Sequence, residues 1–301
     1  SEKEAGQMGS FSGYHPAVIF LYFVLILLFT MFSMHPYFLC CSLLCGFLCS
    51  FLWGQGKAIK RNLRMTVPLV MLGIVINPLF TQRGSTILFY LNDAAVTLEA
   101  VLYGLAAAML FSSVLVWIQC WGMVMGIDQF ICLFGRVLPV LGLLLSITFR
   151  MFPLLQRRFD QVKDGQRCMG RDDGSRHPIK KLRIFSKELS ILIAWSLEAG
   201  IETSDSMEAR GYGLKGRSSY TIYRFDRRDL CVLLLILLLC GVVLIGCVEK
   251  MNGLLFYPRI VFRKAGWLKI PVYGAFAGLC LLPVVIELLG EWKWRRLYSN
   301  M

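Results

Sequence analysis

Two segments decide how this chain is to be read: Gln156-Arg-Arg-Phe-Asp-Gln-Val-Lys-Asp-Gly-Gln-Arg-Cys-Met-Gly170 and Ser196-Leu-Glu-Ala-Gly-Ile-Glu-Thr-Ser-Asp-Ser-Met-Glu-Ala-Arg-Gly211. Both lie in the charged block between Arg150 and Arg228, inside an otherwise apolar sequence. In the first, Leu155, Phe159, Val162 and Met169 fall near one face at helical spacing, with Arg157, Arg158, Lys163 and Asp164 mostly outside that stripe. In the second, Leu197, Ile201 and Glu208 mark a similar, more polar stripe. Each segment is expected to be a helix closed by glycine, which can take the left-handed conformation that ends a helix. An arginine beside that glycine complements the partly negative carbonyl end, and its planar fork suits a carboxylate on another protein. The same pattern also fits a solvated loop whose charges keep it out of a bilayer.

Working outward, the 301 residues are 56% hydrophobic with a mean hydropathy of +0.61, too apolar for an ordinary soluble domain. A span needs about 20 apolar residues. Six stretches qualify: Ala17 to Ser33, Tyr37 to Trp53, Met65 to Phe80, Thr97 to Trp117, Leu230 to Val248 and Ile270 to Leu289. The expected fold is all-α, a polytopic membrane helix bundle of about six spans with long cytoplasmic or interfacial coupling helices. It divides into N-terminal membrane helices at 1–118, a coupling region with two coupling helices at 119–228, and C-terminal membrane helices at 229–301. Between Gln119 and Phe149, Asp128, Arg136 and Pro139 interrupt the apolar pattern, so helices lying partly at the interface or leading into the charged block are expected there instead of another clean span. No cleavable signal peptide is read in the polar opening, and the first apolar run is expected to be retained.

The net charge of +13 lies largely between apolar runs, the positive-inside pattern, and the aromatics lie mostly within those runs. Nucleic-acid binding is therefore not expected. Lys57, Lys60, Arg61 and Arg64 assign their loop, both termini and the charged block to the cytoplasm. The segment from Glu249 to Lys269, external in that topology, opposes it with Lys250, Arg259, Arg263, Lys264 and Lys269.

Chemistry is sparse. Eight of the 11 cysteines (Cys40, Cys41, Cys45, Cys49, Cys231, Cys240, Cys247 and Cys280) sit in or beside apolar runs. The four-residue spacing of Cys41, Cys45 and Cys49 fits small packing residues on one helix face, and Ser42 to Ser50 supply no His or carboxylate for a metal. His15, His35 and His177 are isolated, and no HExxH, GxSxG or GxxxxGK[ST] occurs. Asp172-Asp173 fits a solvated turn better than a divalent-ion site. Glu99 and Glu287 are the ionisable residues that approach the spans, and each is weighed as a transport-pathway group or an interfacial one.

Ser206-Met-Glu-Ala-Arg-Gly-Tyr212 resembles the second Ala-Arg-Gly signature of the transmembrane T component of energy-coupling factor (ECF) transporters, the family that includes the cobalt-transport permease. Gln166-Arg-Cys-Met-Gly170 sits where that family carries its first signature, Gln-x-Ala-Arg-Gly. His35-Pro36, Asn77-Pro-Leu-Phe80, Asp128 and Phe149-Arg-Met-Phe-Pro153 follow the family's usual order. The resemblance implies a non-catalytic coupling permease of a prokaryotic cell membrane. It would dock two ABC-type ATPase subunits and drive a substrate-binding integral membrane subunit for vitamin or transition-metal uptake. It would bind no cofactor itself, ATP and magnesium belonging to the ATPases. The docking residues so implied are Glu208, Ala209, Arg210 and Gly211 at the second site, and Gln166, Arg167, Cys168, Met169, Gly170 and Arg171 at the first. There Cys168 replaces the alanine and Met169 the arginine, so that Arg167 or Arg171 supplies the charge, or the contact is mainly apolar. The competing readings are a membrane-embedded enzyme acting on a lipid phosphate, and a self-sufficient channel or secondary transporter.

Overall fold

The computed structural model describes residues 11–81, 84–91, 94–137, 139–170, 178–214, 223–249, 254–255, 261–262 and 269–299. It is helical almost throughout: α1 (Pro16–Phe32), α2 (Pro36–Phe80), α3 (Leu98–Val124), α4 (Ile127–Val137), α5 (Pro139–Cys168), α6 (Pro178–Ala209), α7 (Arg227–Val248) and α8 (Lys269–Ser299). Short antiparallel pairs join β1 (Ile87–Leu91) to β2 (Ala94–Thr97) and β3 (Leu254–Leu255) to β4 (Val261–Phe262). Four helices begin on proline, whose fixed φ and missing N–H suit a first helical residue. Two compact units result: Ser1–Gly126 with Tyr223–Met301, and Ile127–Ile222.

In the first unit, α2 is helical over 45 residues yet folds back on itself. The Asn62 Nδ2 donates to Ser50 Oγ at 2.8 Å, whereas twelve residues of straight helix would hold them about 18 Å apart. The neighbours on α3 trace the reversal. A Cβ at Gly46 would touch Val116 and one at Gly54 would touch Met123, so the first arm runs parallel to α3. Arg61 then bonds Gln119, and Asn77 bonds the Ala100 carbonyl, so the second arm runs antiparallel to it. The chain turns at Gly54-Gln55-Gly56, and the two arms, Pro36–Gly54 and Gly56–Phe80, are each long and apolar enough to cross a membrane. The basic loop expected between these spans is instead the first turns of the second arm. Ala58 and Asn62 face inward there, while Lys57, Lys60, Arg61 and Arg64 are exposed.

The core of this unit is aromatic. Tyr22 and Phe23 of α1 pack edge-on against Trp117 of α3, Tyr22 donates its hydroxyl to the Leu279 carbonyl, and Phe38 meets Phe276 at 4.5 Å between ring centres. A polar thread runs through it: Ser42 Oγ lies 3.1 Å from Thr30 Oγ1, 2.7 Å from Ser113 Oγ, and accepts from Trp117 Nε1 at 2.9 Å. Where little water competes, such bonds join helices that apolar packing alone would leave free to slide. Cys45, Cys49, Cys120, Cys240 and Cys280 are buried in the same core as free thiols; of the three cysteines whose spacing suggested packing, Cys45 and Cys49 are buried and Cys41 is partly so.

Six apolar passes alternate between two ends of this unit. One end gathers the start of α1, the α2 reversal, the end of α3, the start of α7 and the end of α8. Phe11 stacks on Trp53 there, His15 N–H donates to Asp229, and Phe11 N–H donates to Glu287. This end carries Lys57, Lys60, Arg61, Arg64, Arg227, Arg228, Lys293 and Arg296. The other end holds His35, whose Nδ1 accepts from Tyr37 N–H and whose Nε2 lies 3.3 Å from the Tyr273 hydroxyl.

Two details differ from the sequence reading. The 17-residue α1, expected as an ordinary span, is shorter than the other passes and is a buried core helix, with Ile19, Tyr22, Phe23 and Ile26 fully covered. Conversely, Val140–Cys168 leads into the charged block, one of the two arrangements expected, and is also long and apolar enough to cross a membrane, where no further clean span was expected. Pro139 is the reason: it opens α5 as its first residue and does not break it. The acidic expectations sharpen as well. Glu99 is 3% exposed and its carboxylate accepts from the backbone and hydroxyl groups of Ser85 and Thr86, tying the approach to β1 onto α3. Glu99 and Glu287 are thus both engaged by backbone N–H groups at the ends of the bundle.

Candidate docking site at two helix ends

The second unit contains the two helices singled out by the sequence, both longer than their diagnostic segments. α5 runs 30 residues and α6 runs 32, beginning 18 residues before Ser196. They meet well short of their C-terminal ends. Phe159 lies 5.9 Å from Phe185, edge to face, and the Arg158 guanidinium stands 4.7 Å above the Trp195 ring. A cation over an indole contributes roughly 0.5–2 kcal/mol depending on desolvation. Along the helix axes, Gly170 is then about 16 Å beyond Phe159, and Gly211 about 24 Å beyond Trp195.

Both ends close as expected from the glycines. Gly170 has φ +68° and Gly211 φ +81°, the left-handed region in which a side chain is strained. The Gly211 N–H donates to the Glu208 carbonyl at 2.9 Å and the Tyr212 N–H to the Met207 carbonyl at 3.0 Å, the paired bonds of a Schellman motif. At the first end the Gly170 N–H donates to the Arg167 carbonyl at 2.9 Å, the counterpart of the Gly211 bond. Superposed by these bonds, Gly170 matches Gly211, Met169 matches Arg210, Cys168 matches Ala209, and Arg167 matches Glu208.

Side chains at the two ends differ. Glu208, Ala209 and Arg210 are exposed, and beyond the glycine Tyr212 and Leu214 are exposed apolar groups. At the first end Met169 is 59% exposed, Cys168 is exposed, and Gln166 is buried at 8%. Arg167 makes an exposed pair with Asp164 at 3.8 Å, a contact contributing little in water. Arg171 and the Asp172-Asp173 pair lie outside the described residues. The sequence reading quoted Tyr212 within the second signature without giving it a docking role, and did not single out Leu214 or the Arg158–Trp195 contact. The first two were detectable as apolar residues just past a helix-ending glycine, where solvated turns are usually polar. The last required the tertiary crossing. Among the described residues, no cluster of three or more His, Cys, Asp or Glu is placed to hold a metal ion.

The fold, with apolar passes in one unit and three helices in the other, defines a multi-pass helical membrane protein. No protein-family profile matches the chain. Individual relatives do. It is 34% identical over 106 residues to the energy-coupling factor transporter transmembrane protein EcfT of Lactobacillus helveticus, covering 35% of this chain and 38% of that protein. It is 26% identical over 180 residues to EcfT of Lactococcus lactis subsp. cremoris, covering 56% of this chain and 67% of that protein. To EcfT 1 of Listeria monocytogenes it is 31% identical over 109 residues, covering 35% and 40%. The chain thus spans well under half the length of the first of these relatives and two thirds of the second. Over the matched segments, then, the chain is similar to the transmembrane T components of ECF transporters.

Proposed function

We propose that this chain is the coupling subunit of an ECF-type importer, with the helix ends at Gly170 and Gly211 each seating on one ABC-type ATPase. The observation that carries the reading is the shared backbone geometry of the two ends, in a chain similar to EcfT proteins. A left-handed glycine ends each helix abruptly, so the preceding cap residue stands at the tip. At the second end that residue is Arg210. Its guanidinium, itself favoured beside the carbonyl dipole of the helix end, would pair with carboxylates in an ATPase groove, while Ala209 allows close approach. At the first end the tip residue is Met169, so that contact would be apolar, with Arg167 two positions back.

ATP would be bound and hydrolysed with magnesium by the partner ATPases. Their closure would displace the two tips, and α5 and α6 would carry the motion as rigid levers, pinned where Phe159 meets Phe185 and Arg158 meets Trp195. A separate integral membrane subunit would bind the vitamin or transition-metal ion and reorient in response. The basic end of the membrane unit would face the cytoplasm, following the positive-inside bias.

The test is co-purification of ATPase subunits with the detergent-solubilised chain, wild type beside Arg210→Glu. Charge reversal leaves two like charges facing each other at the docking contact, so ATPase retention should fall at least tenfold. Undiminished retention by a fully expressed Arg210→Glu chain would count against the docking role.

A further inference from the structure

Lys57, Lys60, Arg61 and Arg64 occupy positions i, i+3, i+4 and i+7 of the second arm of α2, within about 100° of its surface. All four are exposed, and the face opposite them is closed by buried Ala58 and Asn62. No Asp or Glu occurs anywhere between Glu4 and Asp93, so neither arm of α2 can neutralise the stripe. One of the four is held in place: Arg61 Nε donates to Gln119 Oε1 at 3.2 Å, a bond that leaves both terminal guanidinium nitrogens unused. Gln119 is fixed in turn through its Nε2 on Met65 Sδ. The stripe begins where an apolar pass reverses, and exposed Leu63, Met65 and Val67 lie at and beyond its far end on the same arm. Headgroup-seeking cations therefore lie next to acyl-chain-seeking side chains. At the same end of the unit, the Arg296 guanidinium stands 4.0 Å over the Trp292 ring, an interfacial aromatic–cation pair of the kind found at headgroup depth.

We infer that this stripe is a binding site for the phosphate-bearing headgroup of an anionic phospholipid, with Arg61 as its fixed fork and Lys57, Lys60 and Arg64 as surrounding charges. Guanidinium recognises phosphate through two parallel N–H bonds, and lysines contribute as point charges. The acyl chains of the same lipid would lie along Leu63, Met65 and Val67. The inference needs only a membrane-spanning bundle and is independent of the coupling role.

The full chain, purified in detergent with equal amounts of phosphatidylglycerol and phosphatidylcholine, is examined by native mass spectrometry for retained lipid. A near-surface cation contributes at most about fivefold to anionic-lipid preference. Four of them should give the wild type a preference of roughly tenfold or more for phosphatidylglycerol, falling to about unity in Lys57→Gln/Lys60→Gln/Arg61→Gln/Arg64→Gln. The charge-conserving swap Lys57→Arg/Lys60→Arg/Arg61→Lys/Arg64→Lys should retain most of it. Excess inorganic phosphate should leave the lipid bound. A quadruple Gln variant that keeps the preference, a wild type that shows none, or displacement by inorganic phosphate would each overturn the lipid site. Should the quadruple variant not fold, the four single Gln variants serve in its place, each expected to lower the preference and Arg61→Gln most; four singles that leave it intact overturn the site equally.

Discussion

Adding one methyl group at Gly104 should loosen the membrane unit more than any comparable change on the same helix. Gly104 and Gly73 face each other where the second arm of α2 packs on α3. A Cβ built at Gly104 would overlap the Gly73 carbonyl oxygen and lie 2.8 Å from Asn77 Cβ; one at Gly73 would lie 2.6 Å from Ala108 Cβ. Ordinary contact begins near 3.4 Å, so the Asn77 contact alone requires the helices to separate by about 0.6 Å. The obstruction is backbone and cannot swing aside. Separation would also weaken the Asn77 Nδ2 bond to the Ala100 carbonyl, 2.6 Å long and one turn away. Overpacking of this kind costs about 1–3 kcal/mol. The lost interhelical bond adds about 0.6 kcal/mol, and the better helix propensity of alanine returns up to about 1 kcal/mol. Gly104→Ala should therefore destabilise by about 1–3 kcal/mol. Gly122→Ala, on the same helix with nothing within 4 Å of the added carbon, should be neutral or slightly stabilising. Reversible unfolding of both variants in the same detergent decides the matter. Equal stability of the two would refute the close approach.

Other consequences are smaller in scope. Ser42→Ala removes the acceptor of the fully buried Trp117 indole N–H and should cost about 1–3 kcal/mol in the same assay. Ser112→Ala, whose buried hydroxyl has no partner among the described residues, should cost nothing measurable. Gly211→Ala forces a side chain into φ +81° and should fray the end of α6 at a cost of about 1–2 kcal/mol, seen as faster amide exchange at Gly211 and Tyr212, whose N–H groups close that end. Burial, and then the nearby Lys269 charge, lower the pKa of His35, so the folded state favours the neutral ring whose Nδ1 accepts the Tyr37 N–H. Stability from this group is thus complete above the free-histidine value of about 6.5 and is lost as pH falls below it. The melting temperature of wild type should drop more than that of His35→Gln between pH 7.5 and pH 5.5, and parallel behaviour would rule the cap out as the sensitive group.

How far the fold could be read from sequence depended on which signal each element used. Tyr37 to Trp53 and Met65 to Phe80 are separable because each is a membrane-length apolar run and four cations lie between them. That the cations sit on helix and not in a loop is hidden. Lys57 to Arg64 has no helix breaker, and only the Asn62–Ser50 bond, a tertiary fact, shows that the chain has turned at Gly54-Gln55-Gly56. The β1–β2 hairpin is short and falls between the third and fourth apolar runs, where an all-α reading places no strand. Glu99 could be weighed only as a pathway or an interfacial residue, because sequence gives depth but not partners; Ser85 and Thr86, fourteen and thirteen residues away, supply the partners. The two helix ends were the most legible feature, since a left-handed glycine is a local backbone device that needs no tertiary information. What holds their helices together, Arg158 on Trp195 and Phe159 on Phe185, joins residues 26 to 37 positions apart and had no local signature.

The most informative property of the candidate docking site is that its two ends agree in backbone and disagree in side chain. If the glycine ends served only to stop helices, nothing would require the residues around them to be solvent-exposed and apolar, yet Met169, Tyr212 and Leu214 all are. Exposed apolar groups beside a sharp helix terminus suit insertion into a groove better than contact with water. On the coupling reading, the shared geometry would set how deeply each tip enters, while the cap residue would set how strongly it is held: Arg210 through directional, charge-assisted bonds, Met169 through contact area and a flexible thioether that adapts to the groove it meets. A charged tip loses affinity when its partner carboxylate is removed or screened by salt, and an apolar tip does not. On the coupling reading, therefore, the two ATPases are held with different salt sensitivity by one chain, and the end at Gly211 is the one whose grip ionic conditions can change.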